Sequence, residues 1–300
     1  MHEHPPPPVT PSRPSHATAP SRDALAGQVA LVTGAGRGLG RAMARHLARA
    51  GAAVALGARS REELELTRAE IAAEVDGARL LVIAFDVADA GEVARAVAAV
   101  EDALGAITLL VNNAGHGGAP GPVWQVEPDL WWRTFEVNLL GTFLCTREVV
   151  ARMVARAGEG RAGRVVNVSS RAGNAPVAHA SAYATSKAAL TRLTEIVAAE
   201  AAPHGVRAFA VEPGQVRTAM TEALLTGEAG RTWLPWYRDT FDAGRDAPPD
   251  DAAALVVRLA RGDADALSGR FVSRADDLDA LVADAEAVAR DERRVLRLRP

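Results

Sequence analysis

Cysteine, lysine and tyrosine are nearly absent from this chain of 300 residues. Its one cysteine, Cys145, excludes an intrachain disulfide and favours a reducing compartment. Cys145 lies in the apolar run 139–145, which indicates a buried, inert thiol rather than a nucleophile. Among the 34 basic residues Lys187 is the only lysine, and Tyr183 and Tyr237 are the two tyrosines. The lone lysine therefore follows a rare tyrosine by four residues, a coincidence that calls for a chemical reason.

Long apolar runs and a large excess of charge are also missing. No apolar stretch reaches the ~18 residues needed to span a bilayer, and the N-terminal segment lacks the apolar core of a signal peptide. The net charge is -3, with arginines scattered among acids, so we expect neither nucleic acid nor a membrane as partner. We predict a cytoplasmic protein without a metal site. Seven of the 17 prolines fall in the first 22 residues, which predicts a disordered proline-rich tail over 1–26.

From residue 28 onwards, short apolar segments alternate with longer amphipathic ones. Predicted strands occupy 28–33, 52–58, 79–87, 107–115, 163–170, 206–214 and 269–273. Predicted helices occupy 40–51, 60–75, 89–104, 129–156, 181–202 and 249–261. Continuous Val/Ile/Leu strands separated by helices indicate a parallel sheet that is covered on both faces. The pattern predicts one α/β domain over 27–273: a doubly wound, seven-stranded Rossmann fold in three α/β/α layers, with ligands beyond the carboxyl ends of the strands.

Two segments after Gly214 interrupt this alternation. Residues 215–248 carry Trp233, Trp236, Tyr237 and Phe241 among Gly, Pro and charged residues, and predict a loop. Residues 275–290 repeat apolar residues at helical spacing, with acids between them. We therefore predict that 274–300 forms a C-terminal helix and an arginine-rich tail.

The sequence TGAGRGLG, residues 33–40, joins the first strand to the first helix. Glycines allow a sharp turn and a close approach of the backbone to a pyrophosphate. The N-terminus of the following helix supplies free N–H groups and the positive end of the helix dipole. This context predicts a nucleotide site rather than a merely structural turn.

The end of the second strand indicates which nucleotide is bound. A site for NAD would place an acid there for the ribose 2'-hydroxyl, and residues 57–60 contain none. Arg59, together with Arg37 in the glycine turn, would instead pair with a 2'-phosphate. The alternative is that both are ordinary surface arginines. The missing acid favours NADP(H) over NAD(H).

Tyr183 and Lys187 lie one turn apart on a predicted helix, so their side chains share a face. A phenol with a pKa near ~10 is a poor base at neutral pH. A nearby ammonium favours the phenolate and lowers that pKa, and its compact charge suits this task better than a forked guanidinium. This gives the single lysine a chemical reason.

With these motifs in place, the chain resembles the classical short-chain dehydrogenase/reductase family from about residue 28 to 273. The glycine motif is at 33–40, and the fourth-strand motif NNAG is at 112–115. The family's helix asparagine matches Asn138, its serine matches Ser170, and its Tyr-x-x-x-Lys pair matches Tyr183 and Lys187. The Pro213–Gly214 turn with Thr218 completes the series. All six motifs occur in the family's order, so the probability that they match by chance is very small.

The resemblance implies a role for each matched catalytic residue. Tyr183 would be the acid/base at the substrate oxygen, and Lys187 would lower its pKa and hold the nicotinamide ribose. Ser170 rather than Ser169 would hydrogen-bond the carbonyl. Asn138 would position a water that links the lysine to solvent.

The implied cofactor contacts extend along the whole domain. Asp86 and Val87 would flank the adenine, and Thr218 would contact the carboxamide. The full predicted set is Gly34, Gly36, Arg37, Gly38, Leu39, Gly40, Arg59, Asp86, Val87, Asn113, Ala114, Gly115, Tyr183, Lys187, Pro213, Gly214, Val216 and Thr218.

The implied activity is the NADP(H)-dependent interconversion of a ketone and a secondary alcohol. Two alternatives are a lyase or epimerase of the same fold and a non-catalytic NADP(H) sensor. The sensor predicts a damaged catalytic set, whereas all four residues are present. No feature of the sequence favours a lyase or epimerase.

The family places a substrate cover at 215–248, and the aromatics there indicate an apolar or ring-bearing substrate, unless they only pack the loop against the body. His116, Arg171, Asn174 and His179 follow strands four and five and are candidate substrate contacts. The alternative for each of them, and the more common case, is ordinary surface or loop structure. The family also implies a homodimer or homotetramer through helices 129–156 and 181–202. Many members end in a short glycine-rich segment, which 274–300 replaces, so subunit contacts near that end are not carried over.

Overall fold

The computed structural model describes residues 21–158 and 163–298. Residues 1–20 of the predicted tail lie outside this range. Residues 21–27 form successive turns, in which Leu25 is buried and donates its backbone N–H to the Ala50 carbonyl at 2.7 Å. The packed part of the chain therefore begins before the boundary predicted at residue 26, because one leucine anchors the segment.

Seven parallel strands form one sheet within the described residues, in the order β3-β2-β1-β4-β5-β6-β7. The register places Val32 beside both Leu56 and Val111, so β1 lies between β2 and β4, where the strand order reverses. The strands are β1 Val29–Thr33, β2 Ala53–Ala58, β3 Leu80–Ala84, β4 Leu109–Asn112, β5 Gly163–Val168, β6 Val206–Glu212 and β7 Phe271–Ser273. The predicted doubly wound, seven-stranded fold is confirmed.

Helices connect the strands and flank both faces of the sheet. They are α1 Gly38–Arg49, α2 Arg61–Glu74, α3 Ala90–Leu104, α4 Pro128–Phe135, α5 Gly141–Ala155, α6 Ser181–Ala201, α7 Ala219–Thr226, α8 Glu228–Trp233, α9 Pro235–Asp242, α10 Pro249–Arg261, α11 Leu278–Ala283 and α12 Ala285–Arg290. Short 3-10 helices lie at Arg171–Gly173, Ala202–His204 and Asp265–Leu267. None of the described helices is long and apolar enough to cross a membrane.

The core consists of two apolar clusters, one on each face of the sheet. Val32 faces the cluster that includes Leu47 of α1 and Val256 of α10. Its neighbour Leu31 faces the other cluster, which includes Cys145 of α5. This alternation follows from the period of two in a strand and produces the three predicted layers. Cys145 is buried, as predicted, and burial raises the pKa of its thiol to about 12.

Three predicted segments differ in detail. Residues 215–248 contain the short helices α7, α8 and α9, which Gly227 and the Leu234–Pro235 step separate. Each has at most eight residues, too few to show a helical period in the sequence. The helix predicted over 129–156 contains a π-helical turn at Glu136–Leu140. The C-terminal helix breaks at Asp284 into α11 and α12.

The segment after α12 returns along the outer edge of the sheet. The backbone N–H of Phe271 in β7 donates to the Arg294 carbonyl at 2.9 Å. Arg297 forms an ion pair of 2.5 Å with Glu195 of α6. The edge of β7, a potential pairing site for another strand, is therefore covered by this chain's own C-terminal segment.

Candidate active site

A cleft of about 3140 Å³ opens beyond the carboxyl ends of the strands. Every predicted cofactor-contact residue lines it, together with Ser170, and only Asn138 of the predicted catalytic residues does not. The four candidate substrate contacts that follow β4 and β5 line it as well. The fold thus brings together residues that span almost two hundred positions of sequence.

The glycine turn is shaped by two close approaches of the backbone. Gly34 has φ +67°, and a Cβ at Gly40 would lie 2.2 Å from the Gly34 carbonyl oxygen, so glycine is required at both. The amide of Asn113 donates to the carbonyls of Thr33 at 2.9 Å and Gly34 at 3.2 Å, and so holds the turn from β4. Within the described residues, no side chain forms a capping hydrogen bond at the N-terminus of α1, which leaves its first N–H groups available to a phosphate.

Two arginines stand at the end of the cleft nearest β2. Arg59 is exposed, and its guanidinium has no hydrogen-bond or ion-pair partner in the described part of the chain. Arg37 forms an ion pair of 3.1 Å with Glu63 at the start of α2. The Ser60 hydroxyl caps α2 by accepting from the Glu63 N–H at 3.2 Å. A dianion here would meet Arg59 directly and would compete with Glu63 for Arg37.

The predicted adenine contacts follow β3. The Asp86 carboxylate accepts a hydrogen bond from Ala88 N–H at 2.9 Å and pairs with Arg133 of α4 at 3.3 Å. Val87 is buried against Gly141, where a Cβ would lie 2.6 Å from a Val87 methyl group. These contacts hold the segment after β3 at the border of the cleft.

Tyr183 and Lys187 lie one turn apart on α6, as predicted. The Lys187 Nζ is 5.7 Å from the centroid of the Tyr183 ring and donates to the Val168 carbonyl at 2.8 Å. Burial lowers the pKa of Lys187 to about 8. Burial is also the main influence on the Tyr183 phenol and raises its pKa, while a hydrogen bond with Ser170 lowers the pKa and the Glu212 charge raises it.

The role predicted for Lys187, to lower the pKa of Tyr183, stays a prediction. In this structure desolvation penalises the charged forms of both groups, and the Lys187 ammonium is bound to a carbonyl on β5. Ser170, in contrast, lies against the phenol. Ser169 is buried and bonded to Thr191 at 2.9 Å, which agrees with the choice of Ser170 over Ser169.

Asn138 lies behind the cleft, inside the π-helical turn, and is fully buried. Its Oδ1 accepts from the His116 N–H at 2.7 Å, and its Nδ2 donates to the His116 carbonyl and the Ser186 hydroxyl, both at 3.0 Å. Both amide hydrogens are therefore used, so this side chain positions the loop after β4 against α6. The water contact predicted for Asn138 stays a prediction, and both of its side-chain N–H groups already have protein acceptors.

An aromatic wall, defined as His179, Trp233, Trp236 and Tyr237, borders the cleft beside Tyr183. The rings of His179 and Trp233 lie 4.9 Å apart, and those of Trp236 and Tyr237 lie 5.2 Å apart. Burial raises the pKa of the Tyr237 phenol, and Tyr183 adds to this, which shows that the two phenols lie within electrostatic reach. His179 adopts a left-handed backbone with φ 65°, which turns the loop after β5 toward this wall.

The sequence did not indicate one buried acid that lines the cleft. Glu212, the last residue of β6, is buried and pairs with Arg171 at 3.3 Å. Its only signal in the sequence was an acid at the end of an apolar strand, directly before Pro213–Gly214.

Comparisons with known proteins agree with this arrangement. Residues 28–229 match the model of the short chain dehydrogenase family. The short chain dehydrogenase andI of Emericella variicolor is 36% identical over 274 residues, which cover 90% of this chain and 89% of the relative. A gluconate 5-dehydrogenase of Burkholderia cenocepacia, solved with NADP and tartrate, is 32% identical at a TM-score of 0.73, covering 84% of this chain and 95% of its own. A 3-ketoacyl-(acyl-carrier-protein) reductase of Brucella melitensis, solved with NADH, is 31% identical at a TM-score of 0.73, covering 83% and 97%.

The fold and the cleft define an oxidoreductase that uses a nicotinamide cofactor. The chain belongs to the short-chain dehydrogenase/reductase family.

Proposed function

We propose that the protein is an NADP(H)-dependent oxidoreductase that interconverts a ketone and a secondary alcohol on an apolar or ring-bearing substrate. The observation that carries the proposal is that Ser170, Tyr183 and Lys187 line one cleft, which the glycine turn also lines. The described residues fit the cofactor, because Gly34 and Gly40 leave a cradle that a Cβ would fill and α1 has an uncapped N-terminus. We assign this activity to the domain predicted over 27–273.

The chain's own groups handle the proton and the orientation of the substrate. When bound, the cofactor supplies or accepts a hydride. In reduction, Tyr183 transfers its phenolic proton to the carbonyl oxygen, and the Ser170 hydroxyl holds that oxygen by a hydrogen bond. Lys187, close to the Tyr183 ring, stabilises the resulting phenolate when charged. Oxidation of the alcohol reverses these transfers.

The preference for NADP(H) rests on the charges beside β2. Relatives have been solved with either nucleotide, so the comparisons alone do not decide. Arg59 is exposed and has no partner among the described residues, and no acid follows β2 at 57–60. A 2'-phosphate would supply the missing counter-charge to Arg59 and, in part, to Arg37.

The substrate class rests on the aromatic wall. Its rings border the same cleft as Tyr183, and Met220 of α7 lines that cleft as well. A Cβ at Gly117 would lie 3.0 Å from the Met220 side chain, so the loop after β4 is tightly covered. A flat, apolar substrate would bury its surface against the aromatic wall and Met220 while its carbonyl group reaches Tyr183 and Ser170.

The proposed partner is a second copy of the chain, as a homodimer or homotetramer in the cytoplasm. Apolar side chains are exposed on the helices that the sequence singled out: Trp132 on α4 is 58% exposed, Phe143 on α5 is 45% and Ile196 on α6 is 44%. The β7 edge is already covered by the C-terminal segment. These features favour the helices over the sheet edge as the contact surface.

The activity is tested by following the reduced-nicotinamide absorbance with NADPH and NADH against a panel of aliphatic, cyclic and aromatic ketones. We expect turnover with NADPH, highest for ring-bearing ketones. Tight NADPH binding without turnover of any carbonyl compound would indicate a non-catalytic sensor instead of an enzyme. A strong preference for NADH would overturn the argument from Arg37 and Arg59.

A further inference from the structure

Arg171 lies in the part of the cleft that carries Ser170, and the mechanism above does not use it. It directly follows Ser170 in the chain, and both residues line the cleft that Tyr183 also lines. The Cα atoms of consecutive residues are only about 3.8 Å apart, so a small molecule at the Ser170 hydroxyl is within reach of the long arginine side chain. The Arg171 side chain is 54% exposed, which leaves its guanidinium accessible to a ligand.

The guanidinium of Arg171 is anchored at its Nε. This nitrogen lies 3.3 Å from the Oε1 atom of Glu212 at the end of β6. Glu212 is only 4% exposed and is itself held in place, since it accepts from the Gly214 N–H at 3.0 Å and from the Ser273 hydroxyl at 2.6 Å. Such an anchor restricts a flexible side chain in advance, so less rotamer freedom is lost when a ligand binds.

The terminal nitrogens of Arg171, Nη1 and Nη2, are free. They have no hydrogen-bond or ion-pair partner among residues 21–158 and 163–298. Because Nε is directed at Glu212, these two nitrogens form the edge of the guanidinium that remains for a second acceptor. A planar carboxylate binds such an edge through two parallel N–H···O bonds.

The other arginines of the cleft show how unusual this is. Seven cleft-lining arginines donate to an acceptor of the protein through at least one terminal nitrogen: Arg37, Arg133, Arg245, Arg274, Arg293, Arg294 and Arg297. Within the described part of the chain, only Arg59 and Arg171 line the cleft with both terminal nitrogens free. Arg59 follows β2, on the side proposed for the 2'-phosphate, whereas Arg171 follows β5, beyond β1 and β4. The second free guanidinium is therefore on the side of Ser170.

The neighbouring carboxylate selects the kind of anion that fits Arg171. The Glu212 charge lies beside the same guanidinium and repels a dianion, such as a phosphate monoester, more strongly than a monoanion. A carboxylate carries a single negative charge and matches the planar geometry of the fork. These two properties favour a carboxylate over a phosphate at this position.

We propose that Arg171 is a specificity-determining residue that binds a carboxylate of the substrate, so that the substrate is a ring-bearing ketone with a carboxylate group. The inference rests on the proposed function, in which Ser170 and Tyr183 bind the ketone oxygen. The carboxylate anchors one part of the substrate at Arg171, while the aromatic wall covers the ring.

The test uses the full-length protein and the reduced nucleotide that it prefers. The substrates are the meta and para isomers of acetylbenzoate, each compared with its uncharged acetylbenzamide, which has the same ring and the same ketone. We expect kcat/KM of the wild-type protein to be about tenfold or more higher for the acid, because a charge-assisted bidentate contact is made only there. Arg171→Gln should bring the ratio of acid to amide close to one, and Arg171→Lys should give an intermediate ratio, since the charge remains and the fork is lost.

Arg171→Gln also leaves the buried Glu212 without its cation, so a second variant is needed. Arg171→Gln combined with Glu212→Gln removes both charges and keeps the net charge of the wild-type protein. A ratio close to one in this double variant then reports the lost contact and not a change in the overall charge of the cleft. The matched control is Arg68→Gln, at an arginine that is 52% exposed, pairs with Glu65 and is not among the cleft-lining residues; it should keep the wild-type ratio.

Equal kcat/KM for acid and amide in the wild-type protein would overturn the proposal and leave the ketone reductase activity standing. A preference for the acid that survives in both Arg171→Gln and the double variant would overturn it as well, since the carboxylate would then bind elsewhere.

Failure of the proposed function has a different signature, namely no turnover of any ketone by the wild-type protein. In that case, calorimetric titration of the NADPH-saturated protein with the same acids and amides measures the contact without catalysis. Tighter binding of the acid that is lost in Arg171→Gln would support the carboxylate site, and equal or undetectable binding of the two forms would contradict it.

Discussion

At the scale of single residues, the scarcity of lysine and tyrosine indicated where the chemistry lies. Lys187 and Tyr183 lie on one face of α6 and border the cleft that the glycine turn lines. What their spacing did not predict is the effect of burial, which disfavours the charged forms of both side chains. Electrostatic properties of a pair depend on its surroundings as well as on its separation.

Tyr183→Phe removes the proton donor and keeps the ring. We expect turnover to fall by about 10²-fold to 10⁴-fold, since general acid catalysis of this size is lost, while NADPH affinity changes little. Steady-state rates and fluorescence titration of bound NADPH measure the two quantities. A variant that keeps its rate would contradict the proton-transfer role of the phenol.

If Arg59 and Arg37 bind the 2'-phosphate, substitutions at Arg59 and at Glu63 should change NADPH affinity in opposite directions. Arg59→Ala should weaken NADPH binding by about tenfold or more, because a charge-assisted contact is lost, and leave NADH binding unchanged. Glu63→Gln should strengthen NADPH binding, since it frees Arg37 from its ion pair. Calorimetric titration with both nucleotides checks this, with Arg68→Ala as control, an arginine paired to Glu65 within α2. Equal losses for NADPH and NADH would contradict a 2'-phosphate contact.

Burial of Lys187 also predicts how stability varies with pH. The pKa of this lysine is lowered from 10.5 to about 8, so between these values the unfolded chain binds a proton that the folded chain does not. The free energy of unfolding should therefore rise with pH across that window, by on the order of 3 kcal/mol from this group. Urea denaturation at pH 8 and pH 10 measures it, and Lys187→Met should lose that part of the rise. An identical pH dependence in both proteins would mean that the lysine remains charged when folded.

At the scale of secondary-structure elements, the strands and the longer helices follow from periodicity, while the short elements around the cleft do not. The π-helical turn places Asn138 between His116 and Ser186, and no period in the sequence predicts that turn. Helices α7–α9 occupy a segment in which Gly and Pro obscure the pattern. These elements form because tertiary contacts stabilise turns too short to be stable alone.

Substrate binding at the aromatic wall can be tested at Trp233, which α8 carries into the cleft lining. Trp233→Ala should raise KM for ring-bearing ketones by about threefold to tenfold, because the indole's contribution to stacking and burial is lost, with little change in cofactor affinity. Steady-state kinetics on ring-bearing and aliphatic ketones separates the effect. Trp124→Ala, which truncates an indole that is not among the cleft-lining residues, is the matched control. Equal effects on both substrate types would contradict a substrate contact.

At the scale of the whole molecule, the C-terminal segment changes what the sheet presents to a partner. It covers the β7 edge and pairs with α6, whereas the apolar side chains on α4, α5 and α6 stay exposed. The surface proposed for a second copy therefore lies on these helices. A covered edge also prevents open-ended strand pairing between molecules.

Phe143→Asp should therefore dissociate the oligomer, because association would bury an unpaired charge on α5. Light scattering coupled to gel filtration gives the mass, and Leu66→Asp, an equally polar change at an exposed leucine of α2, should leave the mass unchanged. An unaltered assembly in Phe143→Asp, or dissociation in Leu66→Asp, would place the contact elsewhere.

The sequence by itself determined the fold class, the position of the glycine turn and the placement of Tyr183 and Lys187 on one helix face, because periodicity and local motifs report properties of neighbouring residues. Only the tertiary structure decided that Asn138 serves as a brace, that the buried Glu212 pairs with Arg171, and that the C-terminal segment covers β7. Burial, charge compensation and edge pairing are produced by residues far apart in the chain, so no local pattern encodes them.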